Sequence, residues 1–247
     1  MLYKKYFQGL LAQVIKDNFL HYPSKGPPIL NKPEEHINGQ MDQPVIVDKL
    51  LKGKRDGFFI ESGAYDGEIY SNSLFFELKR NWTGLLIEPN PTNFKWMMTK
   101  NRNAIAINTC LSNRPFAEEV PFLNAALVGG IADLFDTQLV NAFKNFTEEG
   151  NKISYSGTAQ CFPLYDILVA VGNPTVDFFS LDVEGAEQGI LESIPWDKVD
   201  IKVILIEIDH SEKEEILEIM TKQNYEMVQN IQEVDMLFVR RDFLKTL

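Results

Sequence analysis

Short, nearly continuous apolar runs recur along the chain, separated by segments in which apolar residues return every three to four positions. Runs of the first kind stand at Phe58-Phe59-Ile60, Leu85-Leu86-Ile87, Ala104-Ile105-Ala106-Ile107, around Phe178-Phe179, and at Val203-Ile204-Leu205-Ile206. They read as strands buried on both faces, as in a parallel sheet. The second pattern predicts helices over 44–51, from about Ser71 through the seam Leu74, Phe75 and Leu78, over 91–101, 164–171, 186–194 and 212–223. Pro91 stands where its missing N–H costs little, and Ser211 is placed to cap the last of these helices. Runs over 225–229 and 235–239 read as a closing hairpin. The order predicts an α/β fold with about seven strands, mostly parallel with an antiparallel last pair, joined by right-handed crossovers.

Two regions depart from this rhythm. Residues 1 to about 20 carry Tyr3, Phe7, Leu10, Leu11, Val14 and Ile15 at helical spacing, which predicts an amphipathic helix. Gln8, Gln13 and Lys16 interrupt the apolar core that a signal peptide needs. A helix packed on the domain surface is the favoured reading, and contact with a membrane surface is the sharper one. Four prolines between 21 and 43 then predict an extended arm. This divides the chain into a helix and arm over 1–43 and a main domain over 44–247. Residues 112–160 also break the alternation. They hold a candidate edge strand at Val120-Pro121-Phe122-Leu123 and a helical pattern over 137–149, and suit a substrate-facing insertion.

Chemistry concentrates where strands end. The first strand runs into Glu61-Ser62-Gly63-Ala64-Tyr65-Asp66-Gly67, and the second ends in Glu88 about 20 residues beyond Gly67. Strand, glycine loop, helix, strand and acid form the first part of a nucleotide-binding unit. The Gly-x-x-x-Gly spacing lacks the third glycine of a dinucleotide loop, which speaks against an oxidoreductase. Acids at Glu61 and Glu88 suit a nucleoside with a cationic tail, such as S-adenosylmethionine, with Glu88 accepting from both ribose hydroxyls. The bland alternative is a tight turn that binds nothing. Asp182, Glu184, Glu207, Asp209 and His210 stand at further strand ends, where open sheets bind ligands. Asp182 is a candidate for orienting the donor or the accepting atom. His210 is a candidate base, or else an exposed turn residue. Glu187 reads as a cap for its helix. The acids lack clear metal-ligand spacing, so no metal is expected.

Composition narrows the partners. The 247 residues carry a net charge of −11, which argues against nucleic acid. The absence of a signal peptide and of a membrane-spanning run points to the cytoplasm. Two cysteines, Cys110 and Cys161, read as buried free thiols, with one bridge as the alternative. Asn81-Trp82-Thr83 and Asn145-Phe146-Thr147 match the glycosylation acceptor pattern.

The runs 59–67, Gly84-Leu85-Leu86-Ile87-Glu88-Pro89, Asn108-Thr109-Cys110-Leu111-Ser112 and Leu181-Asp182-Val183-Glu184-Gly185-Ala186-Glu187 resemble the FkbM family of methyltransferases. Residues 17–25, 71–78 and 80–85 look like its animal Star-like branch. The resemblance implies a Rossmann-like class I methyltransferase fold with S-adenosylmethionine as donor. It places Glu61, Gly63, Ala64 and Gly67 in the donor loop, Glu88 on the ribose, Asp182 beside the methionine end, and Asn108 and Leu111 near the adenine. Family members carry an ordered Gly-Glu-Asp or Gly-Gln-Asp stretch upstream. The longer Gly39-Gln40-Met41-Asp42 here argues against an N-terminal share in the site. The expected reaction is O-methyl transfer to a small molecule or glycan. The Star-like resemblance implies an alternative, a catalytically silent domain that escorts protein cargo through endomembranes.

Overall fold

A computed structural model describes residues 2–124, 129–132, 147–148, 151–152 and 154–247. Helix α1 (Leu2–Asn18) leads into the short strand β1 (Leu20–His21), then α2 (Pro33–His36) and α3 (Gln43–Leu50). Next come β2 (Phe58–Ser62), α4 (Leu74–Arg80), β3 (Thr83–Ile87), α5 (Pro91–Thr99) and β4 (Ile105–Ile107). An excursion follows through β5 (Cys110–Leu111), β6 (Glu118–Asn124), β7 (Gly130–Ile131), β8 (Thr147–Glu148), β9 (Asn151–Lys152) and β10 (Ser154–Phe162). The chain returns with α6 (Leu164–Ala170), β11 (Val176–Leu181), α7 (Glu187–Ser193), β12 (Ile201–Glu207), α8 (Lys213–Lys222), β13 (Tyr225–Ile231), β14 (Asp235–Arg240) and α9 (Arg241–Leu244).

The main sheet has the order β1-β4-β3-β2-β11-β12-β14-β13. Strands β4, β3, β2, β11 and β12 are parallel, and β14 and β13 close the sheet as an antiparallel hairpin. This is the Rossmann-like class I methyltransferase fold. One strand more is present than the seven expected, because β1 pairs antiparallel with β4, setting Leu20 opposite Ile107. The physical reason is that β4 would otherwise leave a row of backbone groups unpaired at the sheet edge.

Successive strand residues point to opposite faces, so each apolar run feeds two cores. Ile60, Leu85, Phe179 and Ile204 pack on one face with Ile15 of α1, Ile167 of α6, Ile190 of α7 and Ile216 of α8. Phe59, Leu86, Phe178 and Leu205 pack on the other with Val47 of α3, Phe76 of α4 and Met97 of α5. Both faces of the parallel strands are thereby covered, as such sheets require. Helix α1 turns Ala12 and Ile15 inward, while Leu10 and Val14 are 53% and 41% exposed. That shifts the buried stripe from the one expected, which grouped Leu10 and Val14 with Ile15.

The excursion builds a second sheet, β5-β10-β6-β7. Val120–Leu123 therefore lies inside that sheet rather than at an edge of the main one. Cys110 and Cys161 are joined by a disulfide instead of standing as free thiols. The parallel pairing of β5 with β10 sets the two residues opposite each other. The helix expected over 137–149 lies outside the described residues, except at Thr147–Glu148, which are strand. Ser211 does not cap α8: its hydroxyl donates to Glu187, and Glu212 holds the N-cap position.

Candidate active site at the carboxyl edge of the sheet

From β2 the chain moves outward to β3 and β4, and it later resumes on the other side of β2 with β11 and β12. The order reverses between β2 and β11, and such a switch point opens a crevice beyond the strand ends. Gly63 sits at this point with φ +83°, and a Cβ there would run into the backbone carbonyl of Asp182. Only glycine allows the two strand ends to approach so closely. The Gly63 and Ala64 N–H groups both donate to the Ile87 carbonyl at 3.1 Å, which lashes the loop to the end of β3.

Beyond the strand ends lies a cavity of about 470 Å³, within the range of small-molecule sites. Its wall carries the carboxylates of Glu61, Glu88, Asp182, Glu184, Glu207, Asp209 and Asp235, together with His210. No lysine or arginine stands on that wall among the described residues. Of the residues expected to hold a donor, Glu61, Gly63, Glu88, Leu111 and Asp182 line the cavity. Ala64, Gly67 and Asn108 do not. Ala64 is buried in the core beneath the loop. Gly67 faces Met97 at φ +76°, and Asn108 Nδ2 donates to the carbonyls of Glu88 and Pro89, fixing that turn.

The strand-end acids differ in how far the chain itself satisfies them. Glu61 accepts from the Ser71 and Ser73 hydroxyls and from the Asn72 N–H at 2.7 Å, so both its oxygens hold the following loop. Glu88 accepts from the N–H groups of Tyr65 at 2.8 Å and Asn90 at 2.7 Å, and from the Asn93 side chain. Burial nevertheless pushes its carboxyl up to about 8. Asn90 in turn caps α5 through Thr92 and Asn93. Burial first, and then Glu207 and Glu184 nearby, holds Asp182 well above the usual carboxylate range. Burial and the neighbouring Glu187 and Glu184 push Glu207 up to about 8. Burial takes Asp235 to about 6 despite a hydrogen bond from Gln43 at 2.9 Å. His210 Nε2 lies 3.2 Å from Glu184, which burial raises and the histidine lowers. Glu187 accepts from Val183, Gly185 and Ser211, bracing the turn after Asp182.

Several wall residues escaped the sequence reading. Gln40, Met41 and Gln43 reach the cavity from the arm and the start of α3, which corrects the expectation that the arm stands apart from the site. The arm is strapped down by Glu68, whose carboxylate takes the N–H groups of Asn31 and Lys32 and the ammonium of Lys100. Asp235 was legible only as a strand residue; antiparallel pairing of β14 with β12 sets it opposite Glu207. Among the described residues, no group of three or more His, Cys, Asp and Glu is arranged to hold a metal ion, and no helix is long and apolar enough to cross a membrane.

A family model described as the methyltransferase FkbM domain matches residues 61–227. No curated protein sequence matches. Among solved structures, an FkbM methyltransferase from Methylobacillus flagellatus KT is 14% identical with a TM-score of 0.44; the match covers 74% of this chain and 43% of that one. A TehB-like SAM-dependent methyltransferase from Corynebacterium glutamicum is 9% identical, with a TM-score of 0.39 and coverage of 78% and 86%. A precorrin-6y C5,15-methyltransferase from Geobacter metallireducens is 11% identical, with a TM-score of 0.40 and coverage of 87% and 98%. The chain thus spans less than half the length of the Methylobacillus protein.

Proposed function

We propose that this chain, which belongs to the FkbM methyltransferase family, binds S-adenosylmethionine and transfers a methyl group to an oxygen of a small molecule or glycan. One observation carries the reading: a switch-point cavity walled by seven carboxylates, with no lysine or arginine among the described residues. Burial and mutual proximity raise several of these acids toward the protonated form, a cost that a bound cation relieves and a phosphate worsens, so the wall favours a cationic ligand over a dinucleotide. S-adenosylmethionine supplies a methyl group made electrophilic by its sulfonium.

The residues fit such a donor. Gly63 lets the loop lie against the Asp182 backbone at the mouth of the cavity. Glu88 holds one backbone N–H on each oxygen and the Asn93 side chain besides, which leaves one lone-pair site to accept from a ribose hydroxyl. Asp182 stands one strand beyond Gly63, where its carboxyl would meet the sulfonium end, whose positive charge favours the ionised form. Asn72 Oδ1 is buried without a hydrogen-bond partner on the same wall, suited to an N–H of the donor's ammonium. Methyl transfer is an in-line displacement, so alignment supplies most of the acceleration. For a hydroxyl acceptor, His210 takes the proton and Glu184 orients the ring.

The disulfide supports work in an oxidising compartment, such as an endomembrane lumen or the cell exterior, because reducing compartments rarely keep such bonds. The exposed Asn81 acceptor site agrees with that. Calorimetry with S-adenosylmethionine tests the reading on wild type and Glu88→Ala. Saturable binding that the substitution weakens about tenfold is expected from loss of one charge-assisted hydrogen bond. Absence of binding to the wild-type protein overturns the proposal.

A further inference from the structure

The cavity holds more acid than an adenosyl donor needs. The path from a ribose hydroxyl to the ammonium of such a donor runs through about eight bonds and reaches roughly 10 Å. Strands lie about 4.8 Å apart, so roughly 10 Å separates the end of β3, with Glu88, from the end of β11, with Asp182. Glu207 ends the next strand, β12, and lies opposite Asp235 of β14. A donor gripped at Glu88 is exhausted at Asp182, one strand short of this pair.

Glu207 is also incomplete. Its residue is only 9% exposed, and one oxygen accepts from the Asp209 N–H at 3.1 Å. The other, Oε2, is buried on the cavity wall with no hydrogen-bond partner. Asp235 opposite accepts from the neutral Gln43 amide, and the imidazole on the cavity wall, His210, pairs with Glu184 instead. A buried carboxylate oxygen without a donor is unfavourable unless a ligand completes it. The missing partner is a hydrogen-bond donor, and beside a second carboxylate it is best a positively charged one.

Resting on the donor reading above, we propose that Glu207 and Asp235 form the acceptor subsite and bind a protonated amine, so that the methylated hydroxyl belongs to an amine-bearing acceptor such as an amino sugar or amino alcohol. The ammonium docks on Glu207 Oε2, beyond the donor's reach, and the acceptor's hydroxyl then lies back toward Asp182 and His210.

Thermal shift and calorimetry on the full chain test this, with and without S-adenosylhomocysteine. Ethanolamine and glucosamine are compared with their neutral counterparts, ethylene glycol and N-acetylglucosamine, and with manganese chloride at matched ionic strength. The amines should stabilise the protein saturably where the neutral compounds do not. Glu207→Gln should weaken amine binding about tenfold or more, the scale of one charge-assisted hydrogen bond, while binding S-adenosylhomocysteine within about twofold of wild type. Above pH about 8, where Glu207 is ionised, the unliganded variant should also melt higher than wild type, because a buried charge without a partner has been removed. Neutral compounds binding as well as amines, or stabilisation by manganese alone, would overturn the assignment. So would loss of S-adenosylhomocysteine binding in the variant, since Glu207 would then belong to the donor. If wild type binds amines but not S-adenosylhomocysteine, the donor reading fails and the amine subsite stands.

Discussion

Removing the Cys110–Cys161 disulfide should be among the most damaging changes available outside the main sheet. The two residues are 51 positions apart, and the loop they close contains almost the whole excursion between β5 and β10. Closing a loop of that length restricts the unfolded chain by about 4 kcal/mol. For a chain of this size, each kcal/mol shifts the melting temperature by about 2–4 °C, so the expected fall is about 8–16 °C. Replacing both cysteines by serine leaves no lone thiol and changes the volume little. Both positions are buried, and the paired Leu111 and Phe162 beside them remain in register. Leu111 and Cys110 line the cavity, so donor affinity should fall with stability. The assay is thermal denaturation of the double variant, and of wild type with and without reductant, alongside thiol titration of the denatured chain. Both thiols should be silent before reduction and reactive after it. Two reactive thiols in unreduced protein, or a variant melting within about 2 °C of wild type, would refute the argument.

Three further outcomes follow from the geometry. Glu88 and Glu207 are both pushed up to about 8 from 4.5 by burial, so the folded state binds protons that the unfolded state releases. Unliganded stability should be full below pH about 4.5, fall by up to about 1.4 kcal/mol per pH unit for each group between there and 8, and level off above. Melting temperatures that rise between pH 6 and 8 would contradict this, as would a Glu207→Gln variant with the full wild-type slope. Gly63→Ala forces a side chain at positive φ into the Asp182 carbonyl and should cost well over about 1 kcal/mol. Gly157→Ala, at φ +81° with nothing within 4 Å, isolates the strain alone and should cost about 1 kcal/mol. Equal denaturation midpoints for the two would remove the close-approach argument. Arg102 is buried against Glu77 at 2.6 Å, Ser73 at 3.0 Å and the Gly67 carbonyl. Arg102→Ala should cost about 3–5 kcal/mol in urea denaturation by leaving Glu77 an uncompensated buried charge, and a loss under about 1 kcal/mol would contradict it.

What the sequence determined is local. Alternation at Phe59-Ile60 and Phe178-Phe179 specified strands buried on both faces, because a two-residue period serves both cores whatever lies above and below them. A strand followed by an early glycine specified the turn at Gly63, and the acids at Glu88 and Asp182 were legible because strand ends of a parallel sheet share one edge. What only the tertiary structure decided is which distant residues meet there. Asp235 faces Glu207 because β14 runs antiparallel to β12, a register that no local pattern encodes. Gln43 and the arm reach the wall, and Ser211 turns from a helix cap into a donor to Glu187, because packing offered those groups nearer partners. The pairing of Cys110 with Cys161 rests likewise on the alignment of β5 with β10, across an excursion whose length leaves their meeting open until the fold closes it.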